Sequence, residues 1–256
     1  MTFISIRNSF FIAISIMGLL TAFFGISPEW LGVPVIVYLA LVTYGSVIIH
    51  SNFHVQAHCH ANTSDKVIAL SFDDGPNREY TPRVLSILAQ YGASATFFVI
   101  GKNIQGNEAL LKQIESDGHS IGNHSYTHSF FMDFNSLQGF KDELNQTAER
   151  VFNIIGKRMK LFRPPYGVTT PKLARASKEL NYSTIGWSIR SFDTTAASAQ
   201  FITRRVQTQI KPGAIILFHD RSEKTLQVLK QTLNFAQENG YKIVSIEQLL
   251  QIKAYE

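Results

Sequence analysis

The chain has 256 residues, 45% of them hydrophobic and 17% charged, with a formal net charge of +5 and a pI of about 9.3. That composition can bury one large core or two modest ones. Lys and Arg alternate with Glu and Asp through the chain instead of forming a basic block, which argues against a nucleic-acid partner. Cys59 is the only cysteine, so an intramolecular disulfide is excluded.

The hydrophobicity is concentrated at the N-terminus. No Asp, Glu, Lys or Arg lies between Arg7 and Glu29, and none between Glu29 and Asp65. Ser9–Ile26 and Trp30–Ile49 each approach the roughly 20 apolar residues that a bilayer-spanning helix needs. Residues 1–49 therefore read as a transmembrane helical hairpin turned at Ser27-Pro28-Glu29. A signal peptide followed by a buried element is the alternative, but no small-x-small cleavage site follows Phe24. Residues 50–65 read as a polar linker, in which His50, His54, His58, Cys59 and His60 are taken as incidental and not as a second metal site.

From Lys66 onward, short apolar runs alternate with amphipathic stretches. The predicted strands are Val67–Phe72, Ala95–Ile100, Ser120–Asn123, Leu161–Arg163, Ser183–Ile189, Ala214–His219 and Lys242–Ile246. The clearest helical pattern places Leu137, Phe140, Leu144, Ala148, Val151 and Ile155 on one face, with Asn135 as N-cap and Gly156 as the stop. Other predicted helices cover Thr81–Tyr91, Asn107–Asp117, Pro171–Leu180, Ala197–Ile210 and Glu223–Glu238. This alternation implies an α/β fold with a parallel sheet, either barrel or doubly wound. Asp73-Asp74, His124, Arg163, Asp193 and His219 all fall at or just after strand ends, where a barrel gathers functional groups on one rim. The fold expected for residues 66–256 is thus a (β/α) barrel.

A strand that stops in two adjacent carboxylates before Gly75-Pro76 should place one on each side of its axis, so that one can hold a metal and the other take a proton. His124 and His128 are four apart, and a helical turn after Asn123 would point both imidazoles the same way. With Asp74 they make three ligands and leave a fourth position for water, the pattern of a catalytic zinc site. Two neighbouring carboxylates at a barrel mouth need a neutralising cation, which a divalent metal on Asp74 and Arg163 near Asp73 would provide. His219, after the wholly apolar Ala214–Phe218, reads either as a core histidine or as a proton donor to a leaving amine.

Ser71-Phe72-Asp73-Asp74-Gly75-Pro76, His124-Ser125-Tyr126-Thr127-His128, Arg163-Pro164-Pro165-Tyr166-Gly167 and Leu217-Phe218-His219-Asp220 resemble, in order, four of the five motifs of the polysaccharide deacetylases, carbohydrate esterase family 4, the NodB-homology domain. The resemblance runs from about Lys66 to the C-terminus. It implies a distorted (β/α)7-type barrel and hydrolysis of the N-acetyl amide of amino sugars in a glycan, releasing acetate. It also implies roles: Asp73 as general base, Asp74, His124 and His128 as ligands of a divalent metal, zinc first with cobalt or nickel possible, and His219 as general acid. Arg163 would orient Asp73, the Tyr166 backbone N–H would support the oxyanion, and Asp193 would hold His219. The fifth motif departs from the family pattern. Where the family usually has Asp-x-x-Asp-Trp, this chain has Arg190-Ser191-Phe192-Asp193-Thr194, so Arg190 and Thr194 alter the substrate groove.

The expected partners are an N-acetylated glycan and, through the hairpin, a bilayer, in a bacterial inner membrane. Arg7 and Lys66 flank the two spans, and by the positive-inside rule this puts the catalytic domain in the cytoplasm. Large domains translocate largely regardless of charge, which leaves the outer side as the expectation for an exported glycan. Two alternatives stay open: a deacylase of a lipid-linked amino sugar at the membrane surface, and an inactive membrane-anchored glycan-binding module.

Overall fold

The computed structural model describes residues 2–256. Its centre is β2 (Val67–Asp73), an apolar run that ends in a carboxylate. On one side β2 pairs with β8 (Ile215–His219). On the other it pairs first with β9 (Lys242–Val244) and then with β3 (Ala95–Val99). From β3 the sheet continues through β4 (Ser120–Asn123), β5 (Leu161–Phe162) and β6 (Ser183–Ile185) to β1 (Ala57–His58), and β7 (Ile189–Arg190) lies beyond β8. Among the described residues the nine strands form one sheet and its ladders are all parallel. Parallel neighbours require crossovers, which are supplied by α3 (Thr81–Gln90), α4 (Glu108–Ser116), α5 (Leu137–Ile155), α6 (Pro171–Glu179), α7 (Ala199–Gln207) and α8 (Glu223–Glu238), with α9 (Ile246–Leu250) after β9.

The curled sheet is a distorted barrel that does not close strand to strand. Its path ends at β1 and β7, and the chain after β1 reaches across the gap. There His60 makes an antiparallel bridge to Ala214 and the Ala61 N–H donates to the Gly213 carbonyl at 2.8 Å. Gly213 has a φ of 77°, and a Cβ there would stand 2.0 Å from the Ala61 oxygen, so only glycine fits. Part of the segment expected as a polar linker thus belongs to the sheet. Ala57 and Cys59 are buried, a short apolar signal that the surrounding histidines obscured.

The strand expected over Ser183–Ile189 breaks into β6 and β7. At the break the Ile185 and Gly186 carbonyls turn to accept from the Arg163 guanidinium, at 3.3 and 2.8 Å. Helix α5 starts as its periodicity predicts, but its cap is Ser136, whose Oγ accepts from the Gly139 N–H, and not Asn135. Gly156 ends it with a φ of 69°.

Strand periodicity decides what faces the barrel interior. Ile68, Leu70 and Phe72 point outward into the core beneath the helices, where Phe72 stacks on Phe97 at 5.0 Å and on Phe218 at 5.9 Å. The alternate residues Ala69, Ser71 and Asp73 therefore point inward. In β8, Ile216 and Phe218 join the outer core while Ile215 and Leu217 join the inner one, leaving His219 on the inner face.

The N-terminal helices are α1 (Phe3–Phe24) and α2 (Gly32–Val47), joined through a short 3-10 turn, and Phe10 stacks on Tyr38 at 4.4 Å. Both candidate spans are long and apolar enough to cross a membrane, and only 6% of each apolar window is buried in protein. Their free ends meet the segment that leads into β1: the Phe3 N–H donates to the Phe53 carbonyl at 3.0 Å, and the Phe53 ring fills the notch at Gly45.

Candidate active site

Asp73 ends β2 directly opposite His219 in the β2–β8 register. Asp74 then adopts a left-handed φ of 75°. This strained conformation turns its side chain back, so the two carboxylates are not on opposite sides of the strand as expected. His124 Nε2 lies 3.7 Å from Asp73 Oδ2 and 3.7 Å from Asp74 Oδ1.

His124 follows β4, and its Nδ1 donates to the Arg163 carbonyl at 2.8 Å, which leaves the Nε2 lone pair aimed at the carboxylates. His128 Nε2 is 3.5 Å from Asp74 Oδ1. No helical turn joins the two histidines. Ser125 and His128 have φ values of 64° and 53°, and the loop is held from outside by Glu143 on α5. Its carboxylate accepts from the Tyr126 and Thr127 N–H groups at 2.9 and 2.8 Å and from Thr127 Oγ1 at 2.8 Å. The ligand atoms of Asp74, His124 and His128 lie within 4.8 Å of one another, the one such group among the described residues. Ligands about 2.1 Å from a tetrahedral centre stand about 3.4 Å apart, so the separations suit one divalent ion. Burial, and then His124, push the His128 pKa down to about 4, so its imidazole is neutral and free to ligate. Burial raises the Asp74 pKa, but nearby imidazoles and the Arg221 guanidinium, 3.1 Å away, outweigh it and hold the carboxyl below its usual range.

Arg163 is wholly buried at the end of β5. Its Nη1 donates to Asp73 Oδ1 and to Ser71 Oγ, both at 2.8 Å. The guanidinium also lies 4.1 Å from the Phe98 ring centre. Burial lowers its pKa below the ordinary guanidinium value, and the Asp73 carboxylate offsets only part of that.

Asp193 lies in the turn after β7, close to the inner face of β8. Its Oδ1 accepts from His219 Nδ1 at 2.8 Å, while Oδ2 accepts from the His219 N–H and from Thr225 Oγ1, also at 2.8 Å. Burial alone would lower the His219 pKa, but the Asp193 carboxylate, with Asp73 and Asp74 behind it, outweighs burial and raises it above 6.5. Burial acts upward on Asp193, and His219 and Thr225 overcome it and hold the carboxyl low. His219 is therefore held as a strong proton carrier with Nε2 available.

Tyr166 sits at the rim with a φ of 59°, its ring 4.6 Å from His128 and its hydroxyl donating to the His128 carbonyl at 3.4 Å. A cleft of about 630 Å³ opens over these groups, lined also by Lys102, Trp187, Arg190 and Thr194. Trp187 supplies an aromatic wall in the cleft that Thr194 does not.

Four contributors were not singled out from sequence. Ser71 is visible only once strand phase is known, and Glu143 carries no local signal at all. Arg221 and Asp220 stand beside His219 in sequence. Burial pushes the Asp220 carboxyl up to about 7. It accepts from Thr81 Oγ1 and crowds Gly75, where a Cβ would be 2.5 Å from it, so it braces the turn after Asp74.

A family model described as polysaccharide deacetylase matches residues 60–185. The chain is 35% identical to a peptidoglycan-N-acetylglucosamine deacetylase of Bacillus cereus over 74% of its own length and 91% of that protein. It is 34% identical to the peptidoglycan-N-acetylmuramic acid deacetylase PdaA of Bacillus subtilis, over 74% and 73%. Among solved structures, the Bc1960 peptidoglycan N-acetylglucosamine deacetylase superposes with a TM-score of 0.74 at 28% identity, over 77% of this chain and 94% of that one. BA3943, a CE4 family pseudoenzyme from Bacillus anthracis, superposes at 0.71 and 28%, over 76% and 68%. The likeness to these relatives is longer than the stretch that the family model matches, and that stretch itself holds the Asp73-Asp74, His124–His128 and Arg163–Gly167 motifs, so the chain belongs to the polysaccharide deacetylase family.

Proposed function

We propose that the protein is a metal-dependent carbohydrate N-deacetylase that hydrolyses the N-acetyl amide of an amino sugar in a glycan. The observation that carries this reading is the convergence, at one barrel mouth, of a three-ligand cluster with an acid–base pair on adjacent strands. The names of the relatives, peptidoglycan deacetylases, supply the glycan class.

Asp74, His124 and His128 would hold the ion, and zinc suits two imidazoles and a carboxylate, with cobalt or nickel admissible. When bound, a divalent metal supplies Lewis acidity, polarising a carbonyl oxygen and making water more acidic. Asp73, fixed by Arg163, takes a proton from the attacking water as the new C–O bond forms. His219 gives its Nε2 proton to the nitrogen as the C–N bond breaks, so acetate and a free amine leave. Asp193 fixes the His219 tautomer and favours the imidazolium before transfer. The Tyr166 N–H assists the oxyanion.

A likeness to a pseudoenzyme makes the acid–base pair decisive. A glycan binder has no need of Asp73, Arg163 and a charged His219–Asp193 pair, and this chain keeps all four. The α1–α2 hairpin anchors the enzyme in a membrane: α1 has 22 residues, about 33 Å at 1.5 Å per residue, against a hydrocarbon core of about 30 Å. The test is acetate release from N-acetylated glycan by the full-length protein, stripped of metal and reloaded. Wild type should regain activity with zinc, and Asp74→Ala and His124→Ala should lose metal binding and activity together. Full activity in either variant would sink the site.

A further inference from the structure

The hairpin docks on the barrel at the rim of the cleft. The Ser46 carbonyl, near the end of α2, accepts from the Thr169 N–H at 2.9 Å, three residues from Tyr166. Ile49 packs into the inner core with Trp187 and lies against Gly186, whose carbonyl binds Arg163. Trp187, Tyr166 and Gly167 all line the cleft. The last turn of the second candidate span and the mouth of the active site therefore share the same two loops.

Beside that junction the loop after His128 displays three phenylalanines to solvent, Phe130, Phe131 and Phe134, at 73%, 68% and 80% exposure. They are not the surface of a loosely attached segment. Met132 between them is buried with Phe140, Phe162 and Leu173, and the Lys172 ammonium donates to the Asn135 carbonyl at 3.2 Å. The loop is thus fixed to the start of α6, next to Thr169, while the Phe130 ring meets Tyr166 at 5.9 Å. Three exposed aromatic rings on a fixed loop are costly in water, and an interfacial layer of lipid is where such rings are favoured. Lys102 and Arg190 line the cleft, and neither forms an ion pair among the described residues. Two such cations suit a phosphate group.

We propose that the cleft opens onto the bilayer in which the hairpin is anchored, with Phe130, Phe131 and Phe134 in its interfacial layer, and that the substrate is an N-acetylated amino sugar carried on a lipid phosphate. The aromatic loop continues the hairpin's own membrane contact, and the sugar is presented directly to Asp73 and His219. This rests on the N-deacetylase and membrane-anchor readings above.

The test uses the full-length chain in phosphatidylcholine–phosphatidylglycerol vesicles containing nitroxide-labelled lipid. Phe131→Cys and, as reference, Glu238→Cys at the opposite end of the barrel, where neighbouring Asn239 meets Lys66, each carry a thiol-coupled NBD fluorophore. Cys59 is buried, its thiol pushed up to about 11, and stays unlabelled. NBD at 131 should be quenched and blue-shifted relative to 238, and equal quenching at both sites overturns the docking. In parallel, acetate release is measured from an N-acetylhexosamine on a polyprenyl phosphate and from a soluble chito-oligosaccharide. Replacing all three phenylalanines with serine should lower the lipid-linked to soluble rate ratio at least about tenfold. Hydrolysis of the soluble sugar without the lipid-linked one overturns this substrate alone. Hydrolysis of neither overturns the deacetylase reading itself, while the quenching still decides the docking.

Discussion

The two halves of the candidate site are positioned by different physics. Asp73 and His219 project from the inner faces of adjacent strands, in register, and their places follow from the period of two and the β2–β8 ladder. His124, His128 and Tyr166 stand on loops, and their convergence depends on left-handed backbone angles and on partners distant in sequence, chiefly Glu143 and the Arg163 carbonyl. A barrel rim thus combines a stiff strand-borne Asp–His pair with loop-borne side chains whose placement is only as exact as their outer contacts.

The largest effect should come from the strand-borne half. Asp73→Asn and His219→Ala should each lower kcat by about 10²–10⁴-fold while metal content, read by elemental analysis, stays at the wild-type level. Loss of metal in Asp73→Asn would show that the two halves are not separable. Arg163→Ala leaves a buried carboxylate without its cation, which should cost about 3–5 kcal/mol in chemical denaturation, and a change under 1 kcal/mol would mean that water replaces the guanidinium.

Glu143→Ala tests the loop-borne half at a residue that is not a ligand. Removing an outer partner should weaken metal affinity by about 10–100-fold, with activity recovered at saturating metal. A kcat loss that excess metal does not repair would place Glu143 in a different role.

Asp193→Asn should have the smallest effect on rate and the clearest effect on pH dependence. His219 has a raised folded pKa, so the alkaline limb of kcat/KM should fall above pH 6.5 in the wild type and move down in the variant. The His219 contribution to stability is fully present below about pH 6.5 and is lost as pH rises through its folded value. Asp193 has a depressed pKa, so its contribution is present above the ordinary carboxylate value and is lost as pH falls. An unchanged alkaline limb in Asp193→Asn would remove Asp193 as the group that tunes His219.

Much of this was legible in the chain itself. The apolar runs around β2, β3, β4 and β8 gave strands within a residue or so of those observed, because a strand buried on both faces needs continuous hydrophobicity. The helix over Leu137–Ile155 was equally plain from its apolar stripe. Hidden were β1, whose two residues are too short to show a period, and the break at Gly186, which exists because Arg163 needs carbonyl acceptors there. The turn geometry of His124–His128 is hidden for a similar reason: a spacing of four suits a helix, but Glu143, on α5, captures the Tyr126 and Thr127 N–H groups.

Sequence alone determined the inventory: an α/β chain with two apolar N-terminal segments, two adjacent carboxylates, two histidines four apart, and a histidine closing an apolar strand. Local pattern suffices for these because burial period and residue chemistry are properties of short stretches. Only the tertiary structure decided that Asp74 turns back toward His124, that Arg163 lies wholly buried under Asp73, and that the hairpin meets the barrel beside the cleft. Each depends on contacts between residues tens of positions apart, whose geometry no local propensity encodes.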